Sequence, residues 1–440
     1  MSTTLVERAA GAGVDRQGDA SDERRVDEAV RGFVKDFGRI AALNMETCLH
    51  CGMCADACHF FEATGEPRYA PVWKIEPFKR TYLREYGPFA FLHRLFHLTP
   101  KTTLAQLEEW QELLFDSCTL CGRCSLICPM GLDLEGLISQ ARHGMARAGL
   151  VPRELWDAAE RSARDGGAAG SVSALKDLLS RLAQQNGVEI PLDKPKASVL
   201  CTLASDEIEK YPQSIVAMAR IMAHVGADWT YRSDGYDATN LGLLTGNRER
   251  QKAMTMKLVD AAVACGAQTL VLPECGHAYS AMRWMGAEMA GKPLPFRVLH
   301  ISEFLAGEVA SGALRLKKLG KSATFHDPCQ LARLGGVIDA PRVVLAALGL
   351  ELHETFPTKG TNWCCGGGGG VRSIARADAL RYRVFHLKMK QINETEAELC
   401  VTSCASCRRT FEDGAAHFHW DKTMHSLLEL AADNLAEETT

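Results

Sequence analysis

The chain has 440 residues, 46% of them hydrophobic, and a formal net charge of −4 with both signs mixed. That length and apolar content support two or three domains with real cores, and the balanced charge argues against a nucleic-acid partner. Seventeen cysteines, an odd and large number, argue against a disulfide framework and for metal ligation in a reducing compartment.

Residues 1–30 begin MSTTLVERAAGAGVDRQGDASDERR. The stretch has no apolar run and reads as a disordered tail, not a signal peptide. No segment approaches the roughly 20 apolar residues needed to span a bilayer, so the expected address is the cytoplasm.

Residues 31–150 read as a helical domain holding two clusters. CLHCGMCADAC supplies Cys48, Cys51, Cys54 and Cys58; CTLCGRCSLICP supplies Cys118, Cys121, Cys124 and Cys128. Each run has the spacing C-x2-C-x2-C-x3-C. Three cysteines of such a run wrap one cubane and the fourth reaches the other. One [4Fe–4S] is therefore expected on Cys48, Cys51, Cys54 and Cys128, and the second on Cys118, Cys121, Cys124 and Cys58. Zinc would use separated C-x2-C pairs. His59 replaces the proline that follows the second run, Pro129, a change at the turn that leaves ligation intact. The pairing resembles bacterial two-cluster ferredoxins, with a long insertion from Phe60 to Ser117. In that insertion Leu92, Leu95, Phe96 and Leu98 form an apolar helical stripe among aromatic and basic residues. It serves either packing onto the cluster domain or docking of a membrane subunit. His93 and His97 read as surface or packing residues.

Residues 151–195 are polar and helical and read as a connector. Beyond them, short apolar strands (ASVLCTL, TLVLPEC, SATFHDPC, ELCVTSC) alternate with longer helical stretches, the pattern of parallel α/β units. The expected fold class is α+β multidomain: the helical two-cluster domain, then two Rossmann-like modules, residues 196–320 and 321–440. Cys201, Cys265 and Cys400 lie in apolar context and read as buried structural thiols.

The last module carries HDPCQLAR, NWCCGGGGG and CVTSCASC. Its cysteines fall at strand-to-helix or loop junctions, which gather at one edge of an open α/β sheet. Adjacent thiolates suit different irons of an opened cluster. Glycines let the backbone bend and approach an inorganic core, and their N–H groups, as at Gly366 and Gly367, can offset its negative charge. No G-K-[ST] follows, which argues against a phosphate cradle. This pattern resembles the CCG domain of heterodisulfide reductases. The resemblance implies a noncubane [4Fe–4S] cluster on Cys329, Cys364, Cys365, Cys404 and Cys407 that reductively cleaves a disulfide.

Residues 196–320 resemble a degraded copy of that module. In PECGHAY, Cys275 stands where Cys404 does, but Ala278 replaces Cys407, and GYDATNLG lacks the double cysteine. One noncubane cluster is therefore expected beside the two cubanes. A single intact motif makes the chain similar to the catalytic iron–sulfur subunit of the sulfite-reduction-associated membrane complex. That resemblance implies a haem-b or quinone-reactive membrane partner, peripheral membrane association through it, and a small thiol/disulfide protein as substrate. His277, Tyr279 and His326 are candidates for delivering protons to the released thiolates, and Arg333 for attracting an anionic thiolate or carboxylate. Two alternatives stand beside this heterodisulfide reductase-like oxidoreductase. One is the electron-transfer subunit of a flavin-dependent glycolate or lactate oxidase-type complex; the other is a non-catalytic anchoring subunit. No G-x-G-x-x-G follows a strand convincingly, so flavin or NAD is not expected on this chain.

Overall fold

The computed structural model describes residues 22–36 and 38–437. The tail expected over residues 1–30 does not hold for its last nine residues. Asp22–Val30 is a helix that buries Arg25, Val26 and Ala29, because its apolar positions and the Arg25 Nε, which donates to Ala148 O at 3.0 Å, have somewhere to pack. Residues 1–21 lie outside the described residues.

Among the described residues up to Ala148 there are helices and loops and no strand. The core there centres on Phe33, Phe78 and Trp110, whose rings meet at 5.1 and 5.4 Å. Local signals start the helices: Thr103 and Gln106 form a capping box for Leu104–Gln111, and Asp133 accepts from Gly136 N at the start of Leu134–Arg147. The apolar stripe of the insertion is not packed onto this domain. Leu95, Phe96 and Leu98 are more than 60% exposed.

The connector forms two helices, Arg153–Asp165 and Val172–Asn186. The second buries Leu175, Leu179 and Leu182 against the α/β region. That region contains two four-stranded parallel sheets. The first uses β1 (Val199–Cys201), β2 (Trp229–Thr230), β3 (Thr269–Leu272) and β4 (Arg297–His300); the second uses β5 (Ser322–His326), β6 (Glu351–Leu352), β7 (Leu399–Thr402) and β8 (Met424–Ser426). Their orders, β2-β1-β3-β4 and β6-β5-β7-β8, are the same. The strands are short because each is apolar for only a few residues; the central ones, β3 and β7, are buried or nearly so along their length, as strands covered on both faces are.

The modules meet reciprocally. Pro212–His224, after β1, packs on Leu427–Asp433, after β8, and Ile301–Ser311, after β4, packs on Asp339–Ala347, after β5. The turns at the strand ends do the same: Gly276–Tyr279 lies against Cys329–Ala332, and Ser205–Glu209 against Ala405–Phe418. This approximate two-fold relation puts the functional edge of each module against that of the other. Val271, Phe325 and Val401 share one core across the boundary. Among the described residues no helix is long and apolar enough to cross a membrane.

Candidate metal centre

The two four-cysteine runs line two small cavities. One is walled by Cys48, Cys51, Cys54 and Cys128, the other by Cys58, Cys118, Cys121 and Cys124. Each therefore takes three sulfurs from one run and the fourth from the other, the exchange expected from the spacing. The four-sulfur donor sets fit cubane iron–sulfur clusters. The first cavity is superficial: Cys51 is exposed, and Leu49, Met53, Leu126, Ile127 and Met130 form an exposed apolar rim. The second is interior. His59 lines it with both ring nitrogens buried and unpartnered, and burial holds its pKa well down. Lys74, also buried, brings Nζ to 3.8 Å from Cys58 Sγ. The sequence signals neither role, since both depend on the folded insertion.

The five cysteines of the last module converge in one buried cluster. Cys329 Sγ lies 3.9 Å from Cys364 Sγ, and Cys365 Sγ 3.5 Å from Cys407 Sγ. Cys404 hydrogen-bonds with Cys407 and Cys364 with Cys365, closing the set. All five are free thiols. Their number and contiguity fit a cluster with more than one ligand geometry and leave no obvious disulfide pairing. The neighbouring thiols Cys364 and Cys407, with the Gly367 amide, hold Cys365 well below the usual thiol range, whereas the same thiol contacts and burial push Cys407 and Cys329 up. His326, buried, shares a 4.8 Å group of ligand atoms with Cys365 and Cys407.

The glycine run has a second use beyond the amides. Gly366 N donates to Cys364 Sγ at 3.5 Å, as the sequence suggests. Gly369, at φ +62°, lies where a Cβ would come within 2.6 Å of the Thr119 backbone. The run thus allows the loop of the second cubane motif to lie directly against the five-cysteine site. Cys364 Sγ reaches Thr119 Oγ1 at 3.5 Å and hydrogen-bonds with Cys121. A fully buried Arg142 fixes this junction, donating to Leu114 O, Cys118 O, Leu244 O and Gly369 O at 2.6 to 3.0 Å. Arg123 lies 3.7 Å over the Trp363 ring.

The degenerate module closes the other side. Cys275 and Cys404 have nearly the same backbone, φ/ψ −141°/106° and −149°/112°, and Ala405 N donates to Glu274 O at 2.7 Å between the two turns. Ala278 is buried at the place of Cys407. Cys201 lies within β1, paired with Val271 and buried, not at the edge. Between the modules opens a cavity of about 660 Å³, reached by Cys275, His277, Gly367–Gly370, Arg372 and Arg409.

Of the four residues proposed from sequence as chemical, His277 alone lines this cavity. Its Nε2 is buried without a partner, and burial, aided by Arg142, holds its pKa down to about 4. It is a neutral hydrogen-bond donor or acceptor there, not an imidazolium. His326 sits beside the sulfurs and is also held neutral by burial and Lys388. Tyr279 does not reach the cavity: its hydroxyl hydrogen-bonds with Glu303 and Arg283, and its ring meets His300 edge-on at 6.0 Å. Arg333 is spent on structure. It donates to Gly360 O at 2.6 Å, to Cys121 O at 2.7 Å and to Asn362 O, clamping the cubane loop to the double-cysteine loop. Its guanidinium fork suits three carbonyls converging from two domains, a convergence invisible in CQLARLGG.

Comparison with known proteins agrees with this geometry. Residues 323–412 match the cysteine-rich CCG domain, and residues 47–133 match a 4Fe-4S dicluster domain. The chain thus carries a CCG domain and a dicluster domain, and over most of its length it is similar to heterodisulfide reductase subunits. It is 26% identical over 420 residues to the D subunit of the dihydromethanophenazine:CoB–CoM heterodisulfide reductase of Methanosarcina barkeri, covering 92% of this chain and 98% of the relative. It is 25% identical to the Hdr-like menaquinol oxidoreductase iron-sulfur subunit of Archaeoglobus profundus, over 74% and 67% of the two chains. It is 26% identical to the EtfAB:quinone oxidoreductase of Syntrophomonas wolfei, over 87% of this chain and 56% of that one. The CCG protein is thus an iron–sulfur oxidoreductase subunit, the kind of protein that works within a complex.

Proposed function

We propose that this subunit passes electrons through two cubane [4Fe–4S] clusters to or from a noncubane [4Fe–4S] site on Cys329, Cys364, Cys365, Cys404 and Cys407, which acts on a disulfide or thiol substrate. The observation that carries the reading is the unbroken run of sulfurs from Cys121 through Cys364 to Cys329 on one side and to Cys365, Cys407 and Cys404 on the other. A wire and its terminal site are here in contact.

The overall reaction is R–S–S–R′ + 2 e⁻ + 2 H⁺ → RSH + R′SH. A cluster bound at the five cysteines would supply the electrons one at a time. The residues of the chain do the rest. The cavity admits the substrate beside Cys275 and the glycine run. The buried Nε2 of His277 offers a hydrogen bond to a substrate sulfur. Glu274, whose carboxyl burial raises to about 7, lines the same cavity and can hold one of the two protons at neutral pH. A subunit that served a flavin partner only as an electron conduit would have no need of a cavity opening on the glycine run and on the Ala405–Ser406 turn between two of the cysteines.

Electrons enter or leave at the other end, where the exposed apolar rim around Cys51 offers a contact for a membrane haem-b or quinone-reactive partner. The menaquinol and quinone named for two of the relatives support coupling to a quinone and, with it, a peripheral place at a membrane through the partner. The test is EPR of the reconstituted protein with a thiol or disulfide added. A thiol-sensitive paramagnetic signal that disappears in the Cys364→Ser/Cys365→Ser variant, with cubane signals kept, is the expected result. Persistence of that signal in the double variant removes the site assignment.

A further inference from the structure

The helix Asp378–Asn393 carries one residue that its packing does not explain. Lys388 is fully buried. Its Nζ donates to Asn362 Oδ1 at 2.5 Å and to Gln391 Oε1 at 2.6 Å, both neutral amide oxygens. Among the described residues no carboxylate lies within ion-pair distance of it. The nearby Asp327 is held bidentately by Arg342, at 2.9 Å through each oxygen. A buried ammonium with no counter-ion is costly, so a fold that keeps one has a negative charge to balance. Burial holds the Lys388 pKa down to about 7, and Asp327, Cys365, Cys364 and Cys407 pull it back up, so negative charge at the sulfurs favours the ammonium.

The contact between the lysine and the sulfurs is built from the two sequence motifs. The Asn362 carboxamide is oriented by the ammonium, which can only donate, so its oxygen faces Lys388 and its Nδ2 faces the other way. Nδ2 donates to Asp327 O at 3.1 Å and lies 3.4 Å from His326 Nδ1. Nδ1 is therefore the accepting nitrogen, and the His326 proton resides on Nε2. That Nε2 is buried and has no partner, while the ring belongs to the same compact group as the Cys365 and Cys407 sulfurs. A polarised row, ammonium to carboxamide to imidazole N–H, thus runs from the helix to the site.

Resting on the function proposed above, we propose that Lys388 is the counter-charge of the five-cysteine site, acting through Asn362 and His326 so that the site accepts an electron more readily than its thiolates alone would permit. It is a positioning residue: it touches neither substrate nor reacting sulfur. A buried lysine also stands at the second cubane cavity, where Lys74 Nζ lies 3.8 Å from Cys58 Sγ directly. A positive charge beside an iron–sulfur site stabilises its more negative, reduced state.

The experiment is a redox titration followed by EPR on the full chain with its clusters reconstituted, comparing wild type with Lys388→Met, Lys388→Arg and Asn362→Leu. Lys388→Met keeps its iron and moves the midpoint of the thiol-sensitive signal negative by at least tenfold in the one-electron equilibrium, about 59 mV, with cubane midpoints unmoved. Asn362→Leu leaves the ammonium but cuts the row, and shifts the midpoint the same way. Lys388→Arg keeps the charge and stays nearer wild type. An unshifted midpoint in Lys388→Met, or in Asn362→Leu where the first variant does not fold, overturns the role of Lys388 alone. Wild-type protein that assembles only cubane clusters overturns the five-cysteine reading and this one together.

Discussion

The two α/β modules share strand order, reciprocal helix contacts and even the backbone conformation of the turn at Cys275 and Cys404. One gathers five sulfurs; the other presents a single thiol, an alanine at the place of Cys407 and a capped helix where the double cysteine would lie. The difference teaches that losing a metal site need not make a module dispensable. The first module contributes the far wall of the cavity and the His277 ring beside Gly368, and it completes the shared core.

The sharpest test of that contrast is to remove sulfur from each side. Replacing Cys364 and Cys365 with Ser abolishes the thiol-sensitive signal and lowers the iron content, whereas Cys275→Ser leaves the iron content at its wild-type value; iron assay and EPR read both. Equal iron loss in the two variants would erase the distinction between the modules.

Next in size is the junction. Arg142→Ala strands carbonyls from both modules and the cubane loop, and we expect a loss of at least ~3 kcal/mol in denaturant unfolding. Arg142→Lys recovers only part, because an ammonium cannot span the fork's acceptors. Gly369→Ala forces a side chain into left-handed backbone and onto Thr119; its expected cost is about 1–3 kcal/mol, with electron transfer between the second cubane and the five-cysteine site slowed in stopped-flow reduction.

The smallest effect is a pH dependence that belongs to the degenerate module. Burial raises Glu207 to about 8 and Glu274 to about 7 from the ordinary 4.5, although amide N–H groups pull both the other way. Between pH 4.5 and those values the folded protein holds protons that the unfolded chain releases. Stability is therefore highest below about pH 4.5 as far as these groups are concerned, falls as pH rises through 7 to 8, and then levels. Glu207→Gln flattens part of that slope in melting curves; a slope unchanged by both Glu207→Gln and Glu274→Gln would place the proton uptake elsewhere.

The sequence by itself marked the two four-cysteine sets that each line one cavity, the repeated α/β pattern and the five cysteines that cluster in the last module, because spacing within a loop and periodicity within a strand are local properties that survive without coordinates. It also marked Cys201, Cys265 and Cys400 as thiols for the interior, where they lie. Only the tertiary structure decided which polar residues stand beside the sulfurs and the cavity. Arg333 turned out to hold three backbone carbonyls and Tyr279 to face Glu303, while Lys388, Lys74, His59 and Glu274 came into the sites from positions that no motif distinguishes. Their roles depend on what lies across from them after folding, and the energy of a buried charge or an unpaired ring nitrogen is set by those neighbours rather than by the residues beside it in the chain.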